Sequence, residues 1–195
     1  MKILIGIPNM KKTTTFFVLV ITVLLNSCSV FSSISYSTPE ILFTNEFSGD
    51  SIAVFDFATQ GSYLPASAGK YAADKLTELL FLKGKFKIID RSLVRKIQAS
   101  LSITKTEIID KDQLKKFASE TGAKYVILGR LFQATGSDFL DPDTKKSLTF
   151  SFRILSPATG EVVGISSMEA CYKGKYEVII DNIINEIVEE MRQVK

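Results

Sequence analysis

The chain has 195 residues, of which 24 are Lys or Arg, 21 are Asp or Glu and none is His. The absence of histidine removes the commonest general base and the commonest metal ligand, and with them the Ser-His-Asp and Cys-His arrangements of nucleophilic enzymes. The first 27 residues hold three of the lysines and no acidic residue, so the remainder has 21 basic and 21 acidic residues. This balance lacks the basic field that attracts nucleic acid, and we expect no nucleic-acid partner.

Residues 10–28 have the composition of a secretory signal. Two lysines follow Met10, and a nearly unbroken apolar run covers residues 16–25. The run is too short to span a bilayer, which needs roughly 20 apolar residues. Because a complete signal begins with Met10 and its two lysines, Met10 is a more natural start than Met1. The signal ends in the residues Leu25, Asn26, Ser27 and Cys28.

These last four residues resemble a bacterial lipobox. The resemblance implies removal of residues 1–27 and a covalent lipid, with palmitate among its acyl chains, on Cys28. Ser29 follows the lipidated position and is compatible with sorting to the outer membrane, so we expect a lipid-anchored domain that faces the periplasm. The alternative is an ordinary signal peptide followed by an ordinary Cys28. If Cys28 is lipidated, Cys171 has no partner for a disulfide and is expected to be a small strand residue.

Residues 28–50 are predicted to form the lipidated cysteine and a flexible tether. Serine-rich sequence is spread there among isolated apolar residues without a period, which is typical of linkers. The alternative for part of this stretch is that Ile41, Leu42 and Phe43 dock on the domain. The folded domain is predicted over residues 51–195.

The elements of this domain are predicted from apolar periodicity and turn residues. They are strand 52–57, helix 66–83, strand 86–90, a helix with Ser92 as its N-cap, a helix that Asp110 opens with the spacing of a capping box, strands 123–129, 147–155 and 161–172, and helix 176–193. This order, β-α-β-α-α-β-β-β-α, predicts an α/β (α+β) fold. We expect a mixed sheet of about five strands with helices packed on it, parallel at first and antiparallel in the last three strands.

Four short motifs carry a resemblance to a known family. They are residues 52–57 (IAVFDF), 84–92 (GKFKIIDRS), 121–129 (TGAKYVILG) and 159–163 (TGEVV). In this order and spacing they resemble the periplasmic domain of the curli production assembly/transport component, the CsgG-like lipoprotein family. That domain is similar in turn to the amino-terminal domain of the TolB translocation protein and to outer-membrane lipoproteins that assist flagella or cell-wall synthases.

The resemblance implies a ring-shaped secretion channel to which each subunit adds two long hairpins. A membrane hairpin needs on the order of 20 residues. The first place for one offers only residues 132–146, whose Gly, Pro and charged residues are typical of turns, and the second offers only 172–175. The channel is therefore kept only as the alternative. The leading hypothesis is a non-enzymatic adaptor or accessory subunit of an envelope assembly or secretion system.

Candidate contacts with envelope partners lie in two predicted loops, 58–65 and 132–146, because binding concentrates on exposed loops of a rigid scaffold. The candidate residues are Tyr63, Leu64, Phe132, Phe139 and Leu140. The alternative is that both loops are plain solvated connections. Asp138, Asp141 and Asp143 lack the spacing of a calcium loop and are expected to form a turn. We expect no metal, no cofactor besides the lipid and no enzymatic activity, while self-association and the identity of the partner stay open.

Overall fold

A computed structural model describes residues 35–37, 39–43, 50–61, 64–84, 86–103, 109–135 and 146–193. Within these residues the strands are β1 (Ser35–Tyr36), β2 (Glu40–Phe43), β3 (Ser51–Val54), β4 (Ala58–Gln60), β5 (Lys87–Ile88), β6 (Tyr125–Thr135), β7 (Lys146–Leu155) and β8 (Val162–Tyr172). The helices are α1 (Ala66–Leu82), α2 (Arg91–Ser100), α3 (Lys111–Thr121) and α4 (Tyr176–Gln193). None of these helices is long and apolar enough to cross a membrane.

The described strands form one mixed sheet in the order β1-β8-β7-β6-β3-β5, in which β2 also pairs with β8 and β4 with β6. β3 is parallel to β5 and to β6, and β4 is parallel to β6. β6, β7 and β8 are antiparallel neighbours, and β1 and β2 pair antiparallel with β8. Parallel neighbours need long crossovers whereas antiparallel ones need only turns. The α/β (α+β) class, with helices on a mixed sheet, is confirmed.

Helices α1 and α4 pack on one side of the sheet, the inner side. The larger hydrophobic core lies there, and strand alternation supplies it with every second residue of β7. Phe57 and Phe150 meet edge to face, with ring centroids 5.0 Å apart. The apolar face predicted for α4 is buried as expected, with Ile180, Ile183, Ile184, Ile187 and Met191 in this core.

Helices α2 and α3 cover part of the other side of the sheet. Phe55, just after β3, packs edge to face on Phe117 of α3, with ring centroids 4.8 Å apart. Val126 and Leu128 near the start of β6 belong to the same smaller core, to which β7 contributes Leu155 alone. The two helices therefore cover the β3 end of the sheet and leave the rest of β7 without a helix on this side.

The cap of α2 differs from the prediction. Asp90, rather than Ser92, is the N-cap, and its carboxylate accepts hydrogen bonds from the backbone N–H groups of Ser92 and Leu93 at 2.8 and 3.3 Å. Hydrogen bonds from the Ser92 side chain and from these N–H groups hold the pKa of Asp90 below its usual value. Asp110 caps α3 as predicted and accepts from the N–H of Asp112 at 3.2 Å.

Three short strands were not predicted. β1 and β2 lie inside residues 28–50, where the sequence predicted a tether, and β4 lies in the predicted loop 58–65. An edge strand takes its hydrogen bonds from a strand that is already in place, so it needs no apolar alternation of its own. The docking alternative for Ile41, Leu42 and Phe43 is therefore the one that the structure shows.

Candidate functional site

One part of the sheet carries side chains that none of the described helices covers. The alternation that buries Phe150 and Phe152 in the inner core sends the residues between them to the opposite side. We call this surface the open face. It consists of Arg130 and Phe132 of β6, Ser147, Thr149, Ser151 and Arg153 of β7, Ile165, Ser167, Glu169 and Cys171 of β8, and Glu40 and Leu42 of β2.

The register of the strands brings two arginines together on the open face. Arg130 lies opposite Ser151 on the neighbouring strand. Arg153 is two residues farther along that strand, where it lies opposite Ile165 of β8, and Ile165 in turn lies opposite Leu42. Diagonal neighbours of this kind have Cβ atoms roughly 7–8 Å apart. The two guanidinium groups therefore rise from the same part of the face.

A concavity of about 450 Å³ opens beside these arginines. It is lined by Gln60, Leu128, Gly129, Arg130, Ser151, Phe152, Arg153 and Ile165. Among the described residues, the lining contains two guanidinium groups and no carboxylate, so a negatively charged group is the ligand that its chemistry favours. Arg130 is exposed and forms no ion pair with any described residue, so its donors are available to a partner.

Gly129 lines the concavity, and the inner side of β6 has no room for a side chain at this position. A Cβ atom at this position would lie 2.6 Å from the carbonyl oxygen of Ser151, 2.7 Å from the Cβ of Phe152 and 3.0 Å from the Cδ1 of Phe57. These are backbone and core atoms that cannot move aside cheaply. The glycine thus lets two strands and an aromatic ring approach closely just beneath the arginines.

Large apolar side chains accompany the arginines on the open face. Leu42 is 75% exposed, Ile165 50% and Phe132 44%. Arginine and aromatic residues amid apolar area are enriched in protein interfaces, and a few such residues carry most of the binding energy. The acidic residues of the face, Glu40 and Glu169, lie on β2 and β8. The face is therefore cationic over β6 and β7 and acidic toward the β2 edge.

A second set of charges, the Arg–Asp cluster, lies where β3 ends. Arg91 is 8% exposed and donates to the carbonyl of Val54, to Asp56 and, at 2.9 Å, to Asp74. Arg95 donates to Asp74 at 2.8 Å and to Asp56 at 3.4 Å. Burial alone would lower the pKa of Arg95, but the two carboxylates outweigh it and raise that pKa. Two cations match two anions, so the cluster joins α1, α2 and β3 without leaving charge for a ligand.

Most of the residues singled out in the sequence lie outside the described residues. These are the lipidation and sorting residues Leu25, Asn26, Ser27, Cys28 and Ser29 and the loop residues Tyr63, Phe139 and Leu140. Leu64 is described and is only 9% exposed, because its side chain packs into the inner core, so it has little surface to offer a partner. Phe132 is exposed, but it lies on β6, which continues to Thr135, and not in a loop.

The open face itself was not predicted. The alternation of residues 147–155 places Arg153 on the polar side of its strand, but a sequence pattern does not show which side a helix covers. Within the described part of the chain, no group of three or more Cys, Asp or Glu side chains could hold a metal ion. What the arrangement can do chemically is bind a partner through charge, hydrogen bonds and apolar contact.

A domain of helices on a mixed sheet, with an exposed arginine and exposed apolar side chains on one face of the sheet, is the class that these features define. The family model of the peptidoglycan-synthase activator LpoB matches residues 70–167, about half of the chain, and the chain belongs to the LpoB family. Proteins of this family are outer-membrane lipoproteins with a periplasmic domain, and they are activators and not enzymes. The chain is accordingly an outer-membrane lipoprotein with a non-enzymatic accessory role in the cell envelope.

Several solved structures are similar to the chain. Lipoprotein GNA1162 from Neisseria meningitidis has a TM-score of 0.51 at 11% identity, over 74% of this chain and 99% of its own. The PelC dodecamer from Paraburkholderia phytofirmans has a TM-score of 0.49 at 15% identity, over 83% and 98%. LpoB of E. coli, solved by NMR, has a TM-score of 0.47 at 16% identity, over 63% and 56%. The likeness to GNA1162 shows a shared fold and nothing more, and comparison with curated proteins gives no match.

These comparisons overturn the resemblance to the CsgG-like family. The matching family model is that of LpoB, and nothing supports a curli-type lipoprotein. The four motifs misled because each is a strand, a helix end or a turn, and such pieces recur in the same order wherever strands and helices alternate in this way. The secretion-channel alternative rested on that resemblance and loses its basis with it.

Proposed function

We propose that this lipoprotein activates a peptidoglycan synthase by binding the enzyme through the open face of its sheet. Membership of the LpoB family suggests the role. The observation that carries the choice of surface is Arg130, an exposed guanidinium without an ion pair to any residue that the structure describes, at the rim of a concavity of about 450 Å³. The partner, on this proposal, presents a carboxylate to the concavity and apolar side chains to its surroundings.

Activation by such a protein follows from differential binding. A binder without catalytic groups raises the activity of an enzyme only if it binds the active conformation more tightly than the inactive one. Each tenfold shift of that equilibrium needs about 1.4 kcal/mol of difference in binding free energy. One charge-assisted contact that forms with only one of the two conformations supplies that much, since hydrogen bonds to charged groups contribute about 1.5–3 kcal/mol.

The size of the open face favours a reversible complex. Ten residues of β7 at about 3.3 Å each give a length of about 33 Å, and four strands at about 4.8 Å give a width of about 19 Å. The face therefore offers about 600 Å² to a partner, or about 1,200 Å² counted on both. This area is at the lower end for specific complexes. Electrostatic steering by the arginines then matters most for the association rate, and we expect salt to weaken binding.

A charge reversal on the open face tests the proposal. Arg130→Glu places a carboxylate beside the concavity, and its matched control, Lys70→Glu, makes the same change of charge at an exposed position of α1. We expect Arg130→Glu to weaken binding to a purified peptidoglycan synthase of the same cell by at least about tenfold. At a subsaturating concentration of the lipoprotein, we expect the rate of glycan polymerisation by the synthase to fall in proportion to the loss of binding.

The possible outcomes distinguish an error in the proposed contact surface from an error in the proposed activating role. If both variants activate the synthase as the wild type does, the open face is not the contact surface. If the wild type itself neither binds nor activates any peptidoglycan synthase of its cell, the proposed role is refuted. The dependence of affinity on ionic strength is a second readout, since loss of Arg130 should flatten it and loss of Lys70 should not. Self-association, left open by the sequence, stays a prediction that light scattering can test.

A further inference from the structure

The first described strands form a clip on the edge of the sheet. β1 pairs with β8 through Ser35 opposite Cys171, and the four residues of β2 pair with residues 164–167 of the same strand. We call β1, β2 and the residues between them the clip. β2 also contacts α4, and Ile41 packs against the inner core, so the clip is held by side chains as well as by backbone.

Ser37, between the two strands, fastens the clip to a single residue of β8. Its N–H and its hydroxyl both donate to the carbonyl oxygen of Glu169, at 2.9 and 3.1 Å. The N–H of Glu169 donates back to the Ser37 hydroxyl oxygen at 2.9 Å. One serine thus uses backbone and side chain to satisfy both polar groups of one edge residue. Such a contact fixes the place at which the chain leaves the sheet.

The clip sets how far the domain can lie from a lipid on Cys28. Six residues separate Cys28 from Ser35. Seven residue steps, fully extended at up to about 3.6 Å each, span at most about 25 Å. Without the clip, the first strand would begin at Ser51, and the same limit would rise to about 80 Å. The clip therefore shortens the greatest possible reach of the anchor about threefold.

We infer that the clip holds the domain close to the outer membrane, with the β1–β2 edge of the sheet nearest to the lipid. The inference depends on lipidation of Cys28 and on the strand pairing, and not on the identity of the partner. Its consequence for the proposed function is that the synthase must bring its contact segment to the outer membrane, because the lipoprotein cannot extend to meet it.

Energy transfer between a dye on the domain and labelled lipids measures this distance. The full lipidated protein is reconstituted in vesicles in a Cys171→Ser background, with a dye at Glu40→Cys on the β2 edge or at Lys87→Cys on the β5 edge. Five strand spacings separate these positions, or about 24 Å. We expect markedly higher transfer from position 40 than from position 87. The label at 87 is the matched control, since it sits on the same sheet and on an exposed residue.

Two further variants lengthen the anchor in different ways. An insertion of about sixteen Gly and Ser residues between positions 33 and 34 gives the same limit of about 80 Å as loss of the clip. Ser37→Pro removes the N–H and the hydroxyl that hold Glu169. We expect the insertion to lower transfer from position 40, with an unchanged far-ultraviolet spectrum of the domain. Ser37→Pro should lower it less, because β2 and the label at position 40 keep their own pairing with β8.

Several results would overturn the inference. Equal transfer from positions 40 and 87 would show that the β2 edge does not face the lipid. Unchanged transfer after the insertion would show that the clip and the short anchor do not set the distance. If Ser37→Pro unfolds the domain, the insertion, which leaves every described residue in place, still decides the question. None of these readouts contains a synthase, so their failure is distinct from failure of the proposed activation.

Discussion

The Arg–Asp cluster allows a sharp test of how the fold is held together. In Arg91→Met, most of the aliphatic stem of a side chain that is 8% exposed is kept and all of its N–H donors are lost. Three acceptors lose a donor, namely the carbonyl of Val54 and the carboxylates of Asp56 and Asp74. The change leaves two negative charges near each other with only Arg95 to balance them.

The expected loss of stability is about 2–3 kcal/mol. Removing one partner of a fully buried ion pair costs roughly 3–5 kcal/mol. The carboxylates here are partly in water, with Asp56 40% and Asp74 47% exposed, so solvent screens much of the unpaired charge. Arg95 also keeps its contacts with both. The carbonyl of Val54 adds about 1 kcal/mol for its lost hydrogen bond.

Urea denaturation of the mature chain, kept unlipidated by Cys28→Ser, measures this difference. The matched control is Arg95→Met in the same cluster, which should cost about 1 kcal/mol or less because that side chain is 33% exposed. A loss below about 0.5 kcal/mol for Arg91→Met, or a loss for Arg95→Met larger than that for Arg91→Met, would refute the view that Arg91 contributes most to the stability of the cluster. At urea concentrations where it stays folded, Arg91→Met should bind the synthase as the wild type does.

Three further predictions follow from single residues. Burial and the hydrogen bond to Asp181, 2.7 Å long, raise the pKa of Tyr71 to about 12 from 10.0. The stabilisation by neutral Tyr71 is complete below pH 10 and is lost as the pH rises through 12. In urea titrations, the difference in free energy of unfolding between the wild type and Tyr71→Phe should therefore become smaller between pH 10 and pH 12. Gly129→Ala should cost roughly 1–3 kcal/mol, measured in the same way, because its Cβ would overlap core atoms. Cys28→Ser should release the protein from the membrane fraction, and the intact mass of the wild type should include the lipid.

The longer elements could be predicted because their patterns repeat many times. Helix α4 shows its apolar face over 18 residues, and its predicted bounds agree with the structure. β7 alternates over 10 residues in the manner of a strand with one buried side. A pattern repeated this often outweighs local exceptions. The change from parallel to antiparallel pairing then follows from the lengths of the connections.

The short strands and the open face could not be predicted in the same way. β1, β2 and β4 have 2, 4 and 3 residues, too few to show a period. Their pairing depends on the edges and gaps that the longer strands leave, which is a property of the assembled sheet. The same holds for the open face, since alternation shows that Arg153 lies on the polar side of β7 but not that α2 and α3 stop short of it.

Two arginines show why residue type alone does not reveal function. Arg91 and Arg130 carry the same charge, yet Arg91 is buried between two carboxylates, while Arg130 is exposed and has no ion pair within the described part of the chain. A buried arginine with matched partners has its donors already in use, so its loss should be felt in stability. An exposed arginine beside a concavity has donors to offer, so its loss should be felt in binding. Arg91→Met should therefore lower the free energy of unfolding and leave binding to the synthase unchanged, whereas Arg130→Glu should weaken binding and leave the free energy of unfolding unchanged. A variant that lowered stability and binding equally would show that fold and contact surface are not separable in this domain.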